Sequence, residues 1–141
     1  MHGFKGERTL MRIHIGERDK YRGRPLYQEI VELLRRRHYA GATVLRAIMG
    51  FGASSKIHTD RLDVLSLDLP IIIEVVDTEE NIEVILPELD DMIGGGLITL
   101  ERARVIMYRP HLPESERTGS WPIDVTGNWR DAGPPGPSTT P

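Results

Sequence analysis

The 141-residue sequence has no cysteine, no excess of positive charge and no long apolar run. The lack of cysteine excludes disulfides, thiolate metal sites and cysteine nucleophiles. The formal net charge is −3, so the composition does not favour binding to nucleic acid. No apolar stretch approaches the roughly 20 residues of a membrane-spanning helix, and the N-terminus lacks the apolar segment of a signal peptide. We therefore expect a cytoplasmic protein without direct membrane insertion.

The densest β-branched run covers residues 70–76 and is apolar at both odd and even positions. Because side chains alternate between the faces of a strand, this run predicts a central strand covered on both sides. Asp77 is the expected cap of the helix that follows. That helix is predicted over about 78–93, with a bend at Pro87. A further strand is predicted over 97–108.

The first half of the chain shows the same order of elements. Residues 10–15 alternate between apolar and polar side chains and predict a half-buried strand. Pro25 suits the first turn of a helix that continues to the basic run 35–38, and Gly41 is the expected helix stop. Residues 43–51 predict the second strand.

Two successive strand–helix–strand units predict an α+β protein with a ferredoxin-like βαββαβ fold. Such a fold has a four-stranded antiparallel sheet with two helices on one face. The central strands also carry apolar residues on the other face, whose burial is favourable, so we predict an oligomer. Residues 1–7 are expected to form a flexible lead-in and residues 8–109 the domain. Seven of the ten prolines fall in residues 110–141, which predicts a disordered tail.

The triple glycine Gly94, Gly95 and Gly96 lies between the second predicted helix and the last strand. Glycines at such a junction let backbone amides approach a phosphate, because no Cβ blocks the approach. The alternative is a helix C-cap followed by a tight turn, which needs only one or two of the three.

The connection over residues 53–69 is long for a compact domain, and long irregular connections are often functional. Lys56 and His58 suit an anionic ligand there, and a solvated loop is the alternative. His58 and Asp60 are two candidate metal ligands without a third, so we expect no metal site.

Basic residues recur at alternate positions on two strands that are neighbours in the predicted sheet. Arg102 and Arg104 share one face of the last strand, and Arg12 and His14 alternate similarly on the first. On partly exposed strands such residues favour ion pairs with nearby carboxylates, such as that of Glu101, over a binding surface.

Two further function classes share this topology. An acylphosphatase-like enzyme would need a phosphate-cradling loop after the first strand and a water-positioning asparagine. Arg18 and Arg22 lie in that loop, but Asn81 and Asn128 are poorly placed. An RNA-recognition module would need aromatic residues on its central strands, which are absent here. No catalytic acid–base pair or nucleophile motif is visible, so we expect no enzyme.

Seven short motifs occur in order over about residues 7–109. They are Arg8-Thr9-Leu10, Gly16-Glu17-Arg18-Asp19-Lys20, Pro25-Leu26-Tyr27, Gly41-Ala42-Thr43-Val44, Gly50-Phe51-Gly52, Leu69-Pro70-Ile71-Ile72-Ile73-Glu74 and Ile93-Gly94-Gly95-Gly96-Leu97-Ile98-Thr99. Together they resemble the domain-of-unknown-function family 190, which is similar to the PII signal-transduction proteins.

The resemblance implies a PII-like homotrimeric regulator that binds an adenine nucleotide (ATP, ADP, AMP or cyclic AMP) or a similar anion at subunit clefts. The ligand would switch the connection 53–69 to control a partner, and a membrane transport or channel protein is the partner implied. By position, the implied ligand contacts are Gly52, Lys56, His58, Gly94, Gly95, Gly96, Arg102, Arg104 and Arg109. The alternative is a metal- or anion-binding trimer resembling the divalent-cation-tolerance proteins.

Overall fold

The structure is a computed structural model that describes residues 6–52, 58–59, 68–108 and 115. Its main elements are β1 (Gly6–Gly16), α1 (Leu26–Arg36), β2 (Thr43–Arg46), β3 (Pro70–Asp77), α2 (Glu79–Met92) and β4 (Leu97–Val105). The four strands form one sheet in the order β2-β3-β1-β4, and β3 lies antiparallel to both β1 and β2. This confirms the predicted α+β, ferredoxin-like fold.

The chain divides into two compact units. The larger unit is Thr9–Glu101, and the smaller unit combines Met1–Arg8 with Arg102–Pro141. The larger unit contains both helices and most of the sheet, and the glycine turn that follows α2 lies within it. In the part of the chain that the structure describes, no helix has the length and apolar character to cross a membrane.

The core of the larger unit forms where alternate residues of the two central strands face the helices. Ile13 lies opposite Ile73 in the register of β1 and β3, and both side chains are fully buried. Helix residues that pack into the same core recur at helical spacing. They are Leu26, Ile30, Leu33 and Leu34 of α1, and Ile82, Ile85 and Leu89 of α2.

Among the described residues, the opposite face of the sheet, here called the open face, is less buried than the face that packs against the helices. Apolar residues of the two central strands whose positions alternate with the core residues belong to this face and are only half-buried; they are Leu10, Ile72 and Val76. Leu45, which lies opposite Ile72 in the register of β2 and β3, is 45% exposed. This agrees with the expectation that the helices cover only one face of the sheet.

The cap of α2 lies one residue later than predicted. Thr78, not Asp77, is the N-cap residue, and its side chain accepts a hydrogen bond from the Asn81 amide at 3.2 Å. Asp77 is instead the last residue of β3 and is 5% exposed. Its carboxylate accepts hydrogen bonds from the backbone amides of Thr78 and Ala40 and from the Asn81 side chain, at 2.8, 3.0 and 2.8 Å.

Asp77 thereby joins the end of β3 to the segment that follows α1. The hydroxyl of Tyr39, in that segment, donates a hydrogen bond to the backbone carbonyl of Asn81. Burial and then the nearby Asp77 carboxylate raise the pKa of Tyr39 above its ordinary value. A further link between the helices is the ion pair between Arg37 and Glu88, at 2.6 Å.

The prediction that Gly41 stops α1 is wrong, because the helix ends five residues earlier, at Arg36. His38 adopts a left-handed φ of 59°, a conformation that helix ends usually give to glycine. The amides of His38 and Tyr39 donate to the carbonyls of Arg35 and Leu34, which closes the helix end in a Schellman pattern.

The prediction of one second strand over residues 43–51 is wrong in its extent. Regular pairing in the sheet stops at Arg46, and Met49–Gly50 pairs separately with His58–Thr59. A connection without strands over 53–69 is therefore also wrong at residues 58–59. β1 begins at Gly6, earlier than predicted. The predicted tail lies outside the described residues except for residue 115.

Candidate functional site

Three connections of the larger unit meet at one end of the sheet. They are the loop after β1, the segment between β2 and β3, and the turn between α2 and β4. The Glu17 amide donates to the Leu69 carbonyl at 2.8 Å, which joins the first connection to the second. Gly96 of the third connection lies against His14 and Ile15 near the end of β1. Residues distant in the sequence are therefore brought together here.

The three glycines of the turn are not equivalent. A Cβ on Gly96 would lie 2.5 Å from the His14 carbonyl oxygen, so only glycine fits without a shift of backbone. A Cβ on Gly94 or Gly95 would meet nothing within 4 Å. Among the described glycines, only Gly6 and Gly23 have a positive φ, so backbone conformation does not require glycine at 94 or 95 either.

The glycine turn is therefore not a glycine C-cap of α2. The residue that caps α2 is Ile93, with an extended backbone (φ −96°, ψ 108°). Packing accounts for Gly96, whereas Gly94 and Gly95 leave an exposed backbone that a ligand could approach closely.

A pocket of about 430 Å³ lies against this turn. That volume falls within the range of small-molecule sites. The pocket has an apolar wall, a bare backbone rim and one ionisable side chain, the carboxylate of Asp90. Its lining residues are Leu86, Leu89, Asp90, Ile93, Gly94, Gly95, Gly96 and Ile98.

The charge at this end of α2 is negative. Asp90 and Asp91 are both exposed, and the last turn of the helix contains no basic residue. The C-terminal end of a helix also carries the negative end of its dipole. An anionic ligand in the pocket would therefore need cations from outside this helix and turn.

The loop after β1 anchors the segment that precedes β3. The Arg18 amide donates to Asp68 Oδ1 at 3.0 Å, and the Gly16 amide donates to Asp19 Oδ2 at 2.9 Å. The Asp19 amide donates to the Gly16 carbonyl at 3.2 Å. With the Glu17 amide bound to Leu69, all four amides of residues 16–19 have protein acceptors. This turn leaves no amide for a phosphate, which argues against the acylphosphatase-like alternative.

A basic hairpin, Lys20–Pro25, follows this anchor. Lys20 pairs with Pro25 and Tyr21 with Arg24, and the Leu26 amide donates to the Asp19 carbonyl at 2.8 Å. Arg22 and Gly23 form the tip with positive φ angles of 50° and 79°, as a type I′ turn requires. The Arg22 guanidinium lies 5.0 Å from the centre of the Tyr21 ring.

Five of the predicted ligand contacts lie in the described part of the larger unit, namely Gly52, His58 and the three turn glycines. Gly52 is exposed with open space around it, and the turn glycines border the pocket. The backbone of His58 pairs with Gly50. Lys56 and Arg109 lie outside the described residues. Arg102 and Arg104 are exposed on β4 and belong to the smaller unit.

The predicted ion-pair role of the first strand is confirmed for Arg12. Its guanidinium pairs with Glu74 at 3.1 Å and with Glu101 on the open face of the sheet. Among the described residues, no group of three or more histidine or acidic side chains is arranged to hold a metal ion.

Sequence reasoning missed two features of this end of the sheet. The sequence predicts a loop over residues 16–24 and places Pro25 in the first turn of α1, whereas Pro25 pairs with Lys20 in a hairpin and the helix begins at Leu26. The hairpin lacks a strong sequence signal, because arginine replaces the asparagine or aspartate usual before glycine in such turns. The acidic end of α2 could have been found, since Asp90-Asp91 directly precedes the glycines without a compensating cation.

The fold defined here, a ferredoxin-like sheet with a glycine turn at one end, has a solved counterpart. It is CPII, a nitrogen regulatory PII-like protein from Thiomonas intermedia K12, in a structure with bound ADP, AMP and bicarbonate. The two match with a TM-score of 0.50 and 18% identity, over 73% of this chain and 90% of that one. At this identity the match establishes the shared PII-like fold.

The model of the DUF190 family, described as an uncharacterised ACR, matches residues 8–105. A UPF0166 protein of Aquifex aeolicus is 38% identical over 100 residues, which are 71% of this chain and 94% of that protein. A UPF0166 protein of Methanocaldococcus jannaschii is 39% identical over 97 residues, 68% of this chain and 89% of that protein. The chain belongs to the DUF190 family, as its motifs indicated.

Proposed function

We propose that this protein is a PII-like, non-catalytic regulator that binds an adenine nucleotide or a similar anion beside the glycine turn. The observation that carries the proposal is the pocket of about 430 Å³ whose rim is formed by Gly94 and Gly95. Neither glycine is required by packing or by backbone conformation. An exposed backbone beside an apolar wall suits a ligand that has both a flat apolar ring and phosphates.

The PII-like fold supports an adenine nucleotide as the ligand class. The structural neighbour was solved with ADP, AMP and bicarbonate, and it shares the fold over most of this chain. ADP, AMP and bicarbonate are therefore probes for this protein, together with ATP and cyclic AMP.

The ligand site is completed in a homotrimer. The open face of the sheet carries half-buried apolar residues around the Arg12 ion pairs, and other copies of the chain would cover it. Lys56, Arg102, Arg104 or Arg109 would then supply cations that the turn itself lacks.

Regulation follows from the position of the pocket. The turn lies at the same end of the sheet as the anchored ends of the segment between β2 and β3. A ligand that binds one arrangement of this segment more tightly shifts the population toward that arrangement. The segment 53–69 would then gain or lose affinity for a partner, such as a membrane transport or channel protein.

The divalent-cation-tolerance alternative has no specific observation in its favour, because the described residues offer no metal-ligand cluster. It is tested by the same experiment, in which Mg²⁺ alone is one of the conditions.

Thermal unfolding of the full chain with and without each probe tests the proposal. A ligand present at about 100 times its Kd stabilises the folded state by about 2.7 kcal/mol, which raises the Tm measurably. We expect one adenine nucleotide to raise the Tm and Mg²⁺ alone to leave it unchanged. A folded protein whose Tm responds to no nucleotide would contradict the proposal.

Lys56→Ala tests the predicted cation within the segment 53–69. We expect it to reduce the nucleotide-induced shift without lowering the Tm of the free protein. Lys5→Ala is a control for the loss of one lysine, and it should leave the shift intact.

A further inference from the structure

We propose that the basic hairpin Lys20–Pro25 of one copy docks against the acidic C-terminal end of α2 in a second copy. The cations of the hairpin would then stand beside the second copy's glycine-turn pocket. Only the identity of the pocket's ligand rests on the proposed function, because the contact between copies needs no ligand.

Two of the three cations of the hairpin have no ion-pair partner in the described part of the chain. Lys20 and Arg22 make no ion pair with any described carboxylate, and the Arg24 guanidinium, whose side chain is 78% exposed, lies 3.8 Å from Glu29. Arg22 also holds a left-handed backbone, which is costly for a residue other than glycine. Lys20 and Arg22 of the hairpin are therefore available to a partner.

The end of α2 presents the complementary charge. Asp90 and Asp91 are exposed, and neither makes an ion pair within the described residues. The helix dipole adds negative potential at the same place, and a cation from outside would be favourable there. Asp90 also lines the pocket, so a cation that reaches it stands at the pocket's edge.

The topology favours a second copy as the source of the cations. The hairpin and the end of α2 lie at the same end of the sheet, yet no described cation of the chain pairs with Asp90 or Asp91. A contact between two different surfaces repeats from copy to copy and closes into a ring when the rotation permits. In such a ring, the hairpin of each copy and the end of α2 of the next copy lie at the same height along the ring axis.

Charge reversal, followed by sedimentation velocity without nucleotide, tests the contact. The hairpin variant is Lys20→Glu/Arg22→Glu, and the helix-end variant is Asp90→Lys/Asp91→Lys. We expect each to weaken self-association by roughly tenfold or more, because two attractive pairs become repulsive. The chain with all four changes should regain assembly. Wild-type association should also weaken between 50 mM and 500 mM salt.

Arg36→Glu is the control, since it reverses an exposed cation on α1, away from the hairpin. It should leave assembly unchanged, and circular dichroism should verify that every variant is folded. Unchanged self-association in a folded hairpin variant would overturn the proposal. Failure of the four-change chain to regain assembly would also overturn it. A nucleotide that fails to bind an intact oligomer would instead count against the proposed ligand and leave the contact standing.

Discussion

Substitution of alanine for Gly95 and for Gly96 separates the function of the glycine turn from its packing. A Cβ on Gly96 would lie 2.5 Å from the His14 carbonyl oxygen, 3.2 Å from Ile15 Cγ2 and 3.3 Å from Ile93 Cγ2. The first of these atoms is backbone of β1, so the turn and the strand must separate. Overpacking of this kind costs about 1–3 kcal/mol.

A domain of about 100 residues loses roughly 4–8 °C of Tm for each kcal/mol, so Gly96→Ala should lower the Tm clearly. Gly95→Ala meets no atom within 4 Å and needs no unusual φ. Its Tm should equal that of the wild type or exceed it slightly, because alanine reduces the entropy of the unfolded chain.

Differential scanning calorimetry of the two variants, with and without the stabilising nucleotide, is the assay. We expect Gly95→Ala to lose much of the nucleotide-induced shift at an unchanged starting Tm, because its Cβ blocks the approach to the backbone. Equal Tm values for Gly95→Ala and Gly96→Ala would refute the packing argument. A full nucleotide shift in Gly95→Ala would refute the functional one.

The cluster that links the two helices gives three further predictions. Asp77→Ala should lower stability to urea by about 1–3 kcal/mol, because three part-buried donors lose the hydrogen bonds they make to this buried carboxylate. Arg37→Ala should cost only about 0.2–1 kcal/mol, because its ion pair with Glu88 is largely exposed. Above about pH 10, Tyr39 loses its proton in the unfolded state before it does so in the folded state, because its pKa is raised in the folded state. The free energy of unfolding should therefore fall as the pH rises toward that raised pKa, and it should fall less steeply in Tyr39→Phe.

The outcomes that contradict these predictions are distinct. If Asp77→Ala loses no more stability than Arg37→Ala, the buried Asp77 carboxylate is not the main stabilising contact of this cluster. Equal slopes of stability against pH above pH 10 in the wild type and Tyr39→Phe would exclude a raised pKa for that tyrosine.

The order of the elements could be predicted because the hydrophobic patterns are strong where the core forms. The apolar pattern of residues 70–76 predicts a central strand. In the structure, alternate side chains of that strand are buried between the sheet and the helices. The apolar positions of the helix that begins after Thr78 also match its buried face. Such patterns reflect burial, which dominates local preference.

Element ends depended on interactions that no local pattern reveals. Asp77 has the sequence position of a helix cap, but its carboxylate accepts a hydrogen bond from the amide of Ala40, which is remote in the sequence. His38 takes the left-handed position for which Gly41 was the better candidate, because the core positions of α1 end at Leu34. The second strand stops at Arg46, where β3 pairing in the main sheet ends, although its apolar pattern continues.

The candidate site was only partly visible in the sequence. The triple glycine marked the correct turn, but only the three-dimensional contact with His14 separates Gly96 from its two neighbours. The clustering of the hairpin, the anchored segment and this turn depends on strand order, which brings residues far apart in the chain to one end of the sheet.

Isothermal titration calorimetry of the folded wild-type protein with ADP, AMP and ATP tests the central claim most directly. We predict saturable binding of one of these nucleotides with one site per chain, and loss of that binding in Gly95→Asp, which places a carboxylate beside the phosphates. Gly95→Asp should remain folded, since a side chain at this position meets open space. Absence of binding by every nucleotide to the folded wild-type protein would contradict the account.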